Sequence, residues 1–442
     1  MKIQDKAYLK VFREYANRTI QSKLIMAVAA SADQIIAATF ISSAVLASIT
    51  LVNPIVFLVF AFAFMFSAGL GSYVGLLIGE NKLKRASETA SFILVVMTVI
   101  TLVVVTLLII NAGEVAHFLG AEGTYLGIAT MYLKYLSIAF IPQAISIVLD
   151  TLIMNDGDPK FVFRVNTTSL LANFTLNLLF VLVFNQGVIG LALATVISNL
   201  YHLLANVYYL VYKSKLLKFQ FPRFDLKGLI RVLYNGSSDF LGVFIEAVMI
   251  YIINRSILHF MPGKYLEAYA AASVFTLFIT KVYLGAQYGL QPITSKWMGQ
   301  NKFDELKELF YFSVKRSSLY ALLLYIGLIP VAWFCLPFLL DAPELIKPAF
   351  YLYLLVGLAM LASNLGIQSP IFFTAINRPL ESLAISILRT LILIPLFSYT
   401  MIGAYQFSGI ALGFFIPEVI ISIGFAYYFS NLKIARLRVM KA

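Results

Sequence analysis

Read along the chain, the apolar positions gather into twelve long runs, at about 22–42, 45–78, 88–112, 124–153, 161–184, 187–212, 234–259, 268–296, 310–339, 346–374, 380–403 and 407–431. Within a run such as 92–111 they are continuous rather than alternating. That pattern excludes transmembrane β-strands and predicts membrane-crossing helices. A span needs about 20 apolar residues, and several runs exceed this, so those helices are expected to tilt or to project from the bilayer. The chain of 442 residues is 61% hydrophobic and only 12% charged, where a soluble domain carries about 25% charged residues. No separate soluble domain fits beside twelve spans, and the class is an all-α integral membrane protein.

The net charge of +12 raises the question of nucleic acid, but position answers it. With the N-terminus inside, 27 of the 33 Lys and Arg fall on one face and only Lys264 and Lys347 on the other; Lys134, Arg255, Lys281 and Arg389 lie inside spans. The positive-inside rule accounts for the asymmetry and places both termini in the cytoplasm, with an even number of spans in the cell membrane. No nucleic-acid partner is expected. Ala30-Ser31-Ala32 has the look of a signal-peptidase site, but cleavage there would halve the first run and leave an odd number of spans. An uncut first helix is expected. The sole cysteine, Cys335, sits in an apolar run and reads as packing.

The chain also repeats itself. Gly69-Leu70 recurs as Gly289-Leu290, Gly79-Glu80-Asn81-Lys82 as Gly299-Gln300-Asn301-Lys302, and Pro159 as Pro379, all at a shift of 220; Gly190-Leu191-Ala192-Leu193 recurs as Gly409-Ile410-Ala411-Leu412 at 219. Two six-helix bundles follow, residues 1–212 and 234–442, joined by a basic cytoplasmic connector, 213–233, that contains Pro222. Six spans return the chain to its starting side, so a pseudo-twofold axis along the membrane normal relates the halves, as in parallel-repeat transporters.

Charged side chains within a bilayer cost at least about 2.5–3.5 kcal/mol each and mark function by default. Asp33 stands near the midpoint of the first span, flanked by Ala29, Ala30 and Ala37, and Glu246 stands near the midpoint of the seventh. A carboxylate that exchanges a proton or sodium as access alternates is what an antiporter needs; a structural carboxylate bonded to a neighbouring helix is the other reading. Asn166, Ser169, Asn173 and Asn177, at spacings of 3, 4 and 4, form one polar stripe on the fifth span, and Thr195, Ser198, Asn199 and His202 form another on the sixth. With Asp33 they describe a polar pocket, or else interhelical hydrogen bonding. Asp239 lies one heptad before Glu246, and Lys281 could reach Glu246 as an internal ion pair. His202 reads as a packing residue more readily than as a metal ligand, since no second His or Cys stands at ligand spacing. Arg389, Arg255 and Glu418 are candidate partners for these charges. The 37 Phe, 25 Tyr and 12 Met suit a cavity for aromatic cations, although most face lipid or packing. No phosphate loop, HExxH, CxxC or GxSxG is present, so no enzyme activity and no cofactor is expected, and ATP is not the direct energy source.

Gly157-Asp158-Pro159-Lys160, the stretch from Asn173 to Asn177, the run Gly187-Val188-Ile189-Gly190-Leu191-Ala192-Leu193-Ala194-Thr195, and Gln291-Pro292 followed by Gly299-Gln300-Asn301 resemble the signature of multidrug and toxic compound extrusion (MATE) transporters. The resemblance covers nearly the whole chain and implies H+- or Na+-coupled antiport that exports amphipathic or cationic compounds. By that resemblance Asp33, Asn173, Thr195 and Glu246 match the family's first-helix aspartate, fifth-helix asparagine, sixth-helix threonine and the seventh-helix glutamate of the sodium-coupled branch. Two departures stand out. Asn177 replaces an aspartate frequent in the fifth helix, and the first span lacks the family's proline. The expected cation-coupling set is therefore Asp33, Asn173, Asn177, Thr195 and Glu246, with Asn166, Ser198, His202 and Lys281 in a substrate cavity, in a monomer embedded in the lipid bilayer. A flippase for lipid-linked saccharides is the main rival and would use Lys134, Arg255, Lys281 and Arg389 on pyrophosphate; a membrane transferase is a more distant one.

Overall fold

The computed structural model describes residues 7–218, 220, 223–299, 303–376 and 378–431. Pro222, Gln300, Asn301 and Lys302 lie outside them, as do the basic residues Lys2, Lys6, Lys433, Arg436, Arg438 and Lys441. Every element among the described residues is helical: α1 Ala7–Phe40, α2 Ser43–Gly79, α3 Leu83–Ile110, α4 Ala112–Phe118, α5 Gly123–Asn155, α6 Pro159–Leu178, α7 Gly187–Tyr212, α8 Leu226–Phe260, α9 Lys264–Gly299, α10 Phe303–Leu339, α11 Pro343–Ala362, α12 Asn364–Ala375, α13 Pro379–Ser386, α14 Ile394–Tyr405 and α15 Phe407–Asn431. Wider π turns, Leu179–Val183 and Ile387–Leu393, follow α6 and α13. Among the described residues, eleven stretches are long and apolar enough to cross a membrane. The expected first span lies within α1, which is 34 residues long.

The repeated motifs are helix boundaries and helix crossings. Gly157 takes φ +98, a conformation that glycine adopts without strain. Asp158 then caps α6, its side chain accepting the Phe161 N–H at 3.0 Å, and Pro159 occupies the first turn, where its missing N–H removes no helical bond. Pro379 likewise occupies the first turn of α13, there without a side-chain cap.

By contacts the described chain divides into Ile36–Tyr251 and a second compact unit made of the residues up to Ile35 with those from Ile252 onward. The division falls within α1 and α8 rather than in the connector. Within the first unit α8 crosses α2 so closely that a Cβ on Gly69 would lie 2.0 Å from the Val232 carbonyl oxygen, and one on Gly236 1.9 Å from that of Met65. Within the second, α1 crosses α9, and a Cβ on Gly289 would lie 2.8 Å from Ala16 Cα. Gly69 and Gly289, equivalent in the repeat, thus serve one purpose: bare backbone lets a long helix pack tightly where lipid offers no hydrophobic drive.

Phe66, Leu70, Val74, Ile93, Val148 and Leu152 form the core of the first unit, together with Leu217 of the connector and Val232 of α8. The second unit is filled by an aromatic cluster of Phe310, Phe372, Phe373, Phe425 and Phe429, with rings as close as 4.7 Å.

The connector is tied down along its first residues. Asp156, just past α5, accepts the backbone N–H groups of Lys215, Leu216 and Leu217 at 3.0, 2.7 and 3.1 Å, and the hydroxyls of Ser214 and Tyr209. Lys218 and Gln220 donate their N–H groups to Ser87 and Ser91 on α3. Burial alone pushes the Asp156 carboxyl up; the three N–H donors and Ser214 outweigh it and hold the group below its ordinary 3.8.

Candidate functional site

The stripes expected on α6 and α7 face each other. Ser169 Oγ donates to the Ser198 carbonyl at 2.9 Å. One turn further, Asn173 Nδ2 reaches Ser198 Oγ at 3.3 Å and Thr195 Oγ1 at 3.4 Å. Asn177, fully buried, donates Nδ2 to Asn173 Oδ1 at 3.1 Å. Four expected site residues, Asn173, Asn177, Thr195 and Ser198, therefore form one hydrogen-bonded group. Asn199 turns aside to the Ala139 carbonyl at 3.4 Å.

Towards the connector the stripes converge on a carboxylate that the sequence reading passed over. Asp150, on α5, accepts from Asn166 Nδ2 at 3.0 Å on Oδ2 and from Asn206 Nδ2 at 2.7 Å on Oδ1, and His202 Nε2 stands 3.0 Å from Oδ1. The side chains of Asp150 and His202 are only 14% and 11% exposed. His202 and Asn166 are thus ligands of Asp150 before they are anything else. The rule that singled out Asp33, charge inside an apolar run, applied equally to Asp150 near the end of the fourth run. With its partners 16, 52 and 56 residues away, no spacing in the sequence linked them.

From Asn166 to Asn177 the polar face runs along α6 for about 16 Å at 1.5 Å per residue. It offers amide, hydroxyl and imidazole groups with one carboxylate in an apolar bundle, and can hold a small cation or move a proton. Among the described residues no three His, Cys, Asp or Glu side chains assemble as a metal site.

The remaining expected residues stand elsewhere. Asp33 is half-buried on α1, within the unit of α9 to α15. Lys281 is half-buried on α9, and Glu246 and Asp239 are exposed on α8. Arg389 has a definite partner: its Nε and Nη2 donate to Glu418 Oε1 at 2.9 and 2.5 Å, and Glu418 is fully buried. At a shift of 220 these two replace Ser169 and Ser198, so an ion pair joins helices in the second repeat where two serines do so in the first. Arg255 and Lys134 are exposed. A cavity of about 680 Å³ lies away from this polar face, lined by Lys82, Lys84, Arg85, Glu88, Arg223 and Asp225 among others.

The MatE family model matches twice, over residues 19–179 and 240–400, at nearly the spacing of the internal repeat. Multidrug export protein MepA of Staphylococcus saprophyticus subsp. saprophyticus is 27% identical over 172 residues, 38% of this chain and 37% of that protein. MepA of Staphylococcus haemolyticus is 24% identical over 269 residues, 59% of this chain and 58% of that protein. The chain therefore spans less than two thirds of these curated relatives in the matched stretches. A solved structure described as the inward-facing conformation of a multidrug resistance MATE family transporter of the MOP superfamily superposes with a TM-score of 0.87 at 17% identity, covering 96% of this chain and 99% of that one. An outward-facing counterpart gives 0.74 at 16%, covering 99% and 98%. These likenesses concern the fold. The family model reaches most of both repeats, and the chain belongs to the MatE family.

Proposed function

We propose that this protein is a secondary transporter that exports amphipathic or cationic organic compounds in exchange for H+ or Na+, by alternating access between its two repeats. The observation that carries the reading is the hydrogen-bonded ladder on α6 and α7, in which Asn173 joins Thr195, Ser198 and Asn177 inside spans. A polar path of this length in an apolar bundle has a cost that ion handling explains. Asp33 and Glu246 are proposed as the exchanging carboxylates, Asn173, Asn177 and Thr195 as neutral ligands to the cation, and Asn166, Ser198, His202 and Lys281 as substrate-cavity residues. Both termini are proposed to face the cytoplasm of a cell membrane, following the 27 to 2 charge asymmetry, and the working unit is proposed to be the monomer.

The multidrug export named for the MepA relatives supports the drug class. It does not favour the saccharide flippase, and Arg389, one of the cations that reading needed, is engaged by Glu418. The same relatives support a transporter rather than an enzyme.

Ethidium export from vesicles carrying wild type or Asp33→Asn, with a pH gradient or a sodium gradient imposed separately, tests the reading. Export by wild type alone supports it, and the effective gradient names the ion. Export that is equal in both proteins removes Asp33 from coupling, and no export under either gradient removes this dye class.

A further inference from the structure

Beyond the ladder, towards the connector, the same helix faces carry a pair of ionisable groups. Asp150 receives three nitrogen atoms from two other helices: Asn166 from α6, and His202 and Asn206 from α7. Two are amides, fixed donors whose charge does not change with pH. The third is an imidazole, the side chain whose charge ordinarily changes between about pH 5 and 8. With the carboxylate ionised, the cluster holds one net negative charge while His202 is neutral and none once it is protonated.

The neighbours leave that change uncompensated. The helices that carry or pack against the pair also bear Asp156 at the end of α5, Arg164 on α6, Tyr201 and Tyr209 on α7, Tyr73 on α2 and Glu88 on α3. None forms an ion pair or hydrogen bond with Asp150 or His202. Several are committed: Asp156 to the connector, Tyr209 to Asp156, Tyr201 to Thr168, Arg164 to the Lys160 carbonyl, and Tyr73 lies under Arg231. The charge of the pair is set by what His202 or the surrounding space takes up: a proton, or an organic cation in its place.

We propose that Asp150 and His202 form a proton-binding pair, in which the arriving proton occupies the imidazole and leaves Nε2–H donated to Asp150 Oδ1. Asn166 and Asn206 hold the carboxylate in position through both states. The protonated pair is neutral and can be closed off from water; the deprotonated pair is anionic and attracts a cationic substrate. This places one exchange step of the antiport at the α5–α6–α7 junction, and it rests on the transporter reading only for its link to substrate.

The first test needs no substrate. Deuterium exchange at the imidazole Cε1–H, followed residue by residue from pH 5 to 9 on the full chain in nanodiscs, reports the protonation of each of the three histidines. The expected result is a titration of His202 within this range whose midpoint moves in Asp150→Asn by at least half a unit, with His117 and His259 unmoved. A His202 that stays neutral throughout, which the wild type alone would reveal, overturns the proposal, as does an identical midpoint in Asp150→Asn.

The second arm addresses coupling. His202→Gln keeps an N–H donor for Asp150 and loses the proton; it should cut ethidium export driven by a pH gradient at least fivefold in proteoliposomes. Undiminished export would overturn the exchange role. Absence of export by the wild type would sink the drug-export reading and leave the titration to decide the pair by itself.

Discussion

Replacing Asp156 by alanine removes one carboxylate from five donors, three of them consecutive backbone N–H groups of the connector. A hydrogen bond to a charged group contributes about 1.5–3 kcal/mol net. Taking the lower figure for the three amides, and discounting for water that takes the carboxylate's place, leaves about 3 kcal/mol holding the connector start against α5. At 1.4 kcal/mol per tenfold, local opening should become easier by on the order of 10². Amide hydrogen exchange of residues 215–217 at pH 7, read by mass spectrometry on the detergent-solubilised chain, measures this directly. Exchange within threefold of wild type would refute the reasoning. The pH dependence carries a sign as well. The folded carboxyl lies below the ordinary 3.8, so its contribution is present above that unfolded value and is lost as pH falls through the lower folded one. The difference in unfolding temperature between wild type and variant should persist at neutral pH and close only on strong acidification.

Three further outcomes are expected. Gly69→Ala would drive a Cβ into the Val232 carbonyl and should lower the unfolding temperature and yield of folded protein, whereas Gly242→Ala, which meets nothing within 4 Å, should do neither; equal behaviour in a thermal-unfolding assay would contradict the close crossing of α2 and α8. Arg389→Met leaves Glu418 buried without its partner and should destabilise by about 3–5 kcal/mol, while Arg389→Met combined with Glu418→Leu should recover most of the loss; additive losses would argue against the pair. Asn173→Ala removes the joint between Thr195, Ser198 and Asn177 at a stability cost of only about 0.6–2 kcal/mol, and should impair gradient-driven ethidium export far more than it alters thermal unfolding.

The membrane class, the near-complete set of spans, the internal repeat and the polar faces of α6 and α7 could all be read from the chain. Hydrophobic runs declare themselves against lipid, and within one helix the 3.6-residue period decides which side chains share a face. Asn166, Ser169, Asn173 and Asn177 had to line one side whatever surrounded them. Which residues meet across helices depends instead on crossing and register, which no spacing encodes. Asp150 gathered its partners from two other helices, Arg389 found Glu418, Asp156 took hold of the connector, and the repeated glycines opened close crossings of α1 on α9 and of α8 on α2. The order of residues along each helix set what that helix could offer; the packing of helix on helix, where a few tenths of an ångström separate a hydrogen bond from a clash, chose which offers were taken.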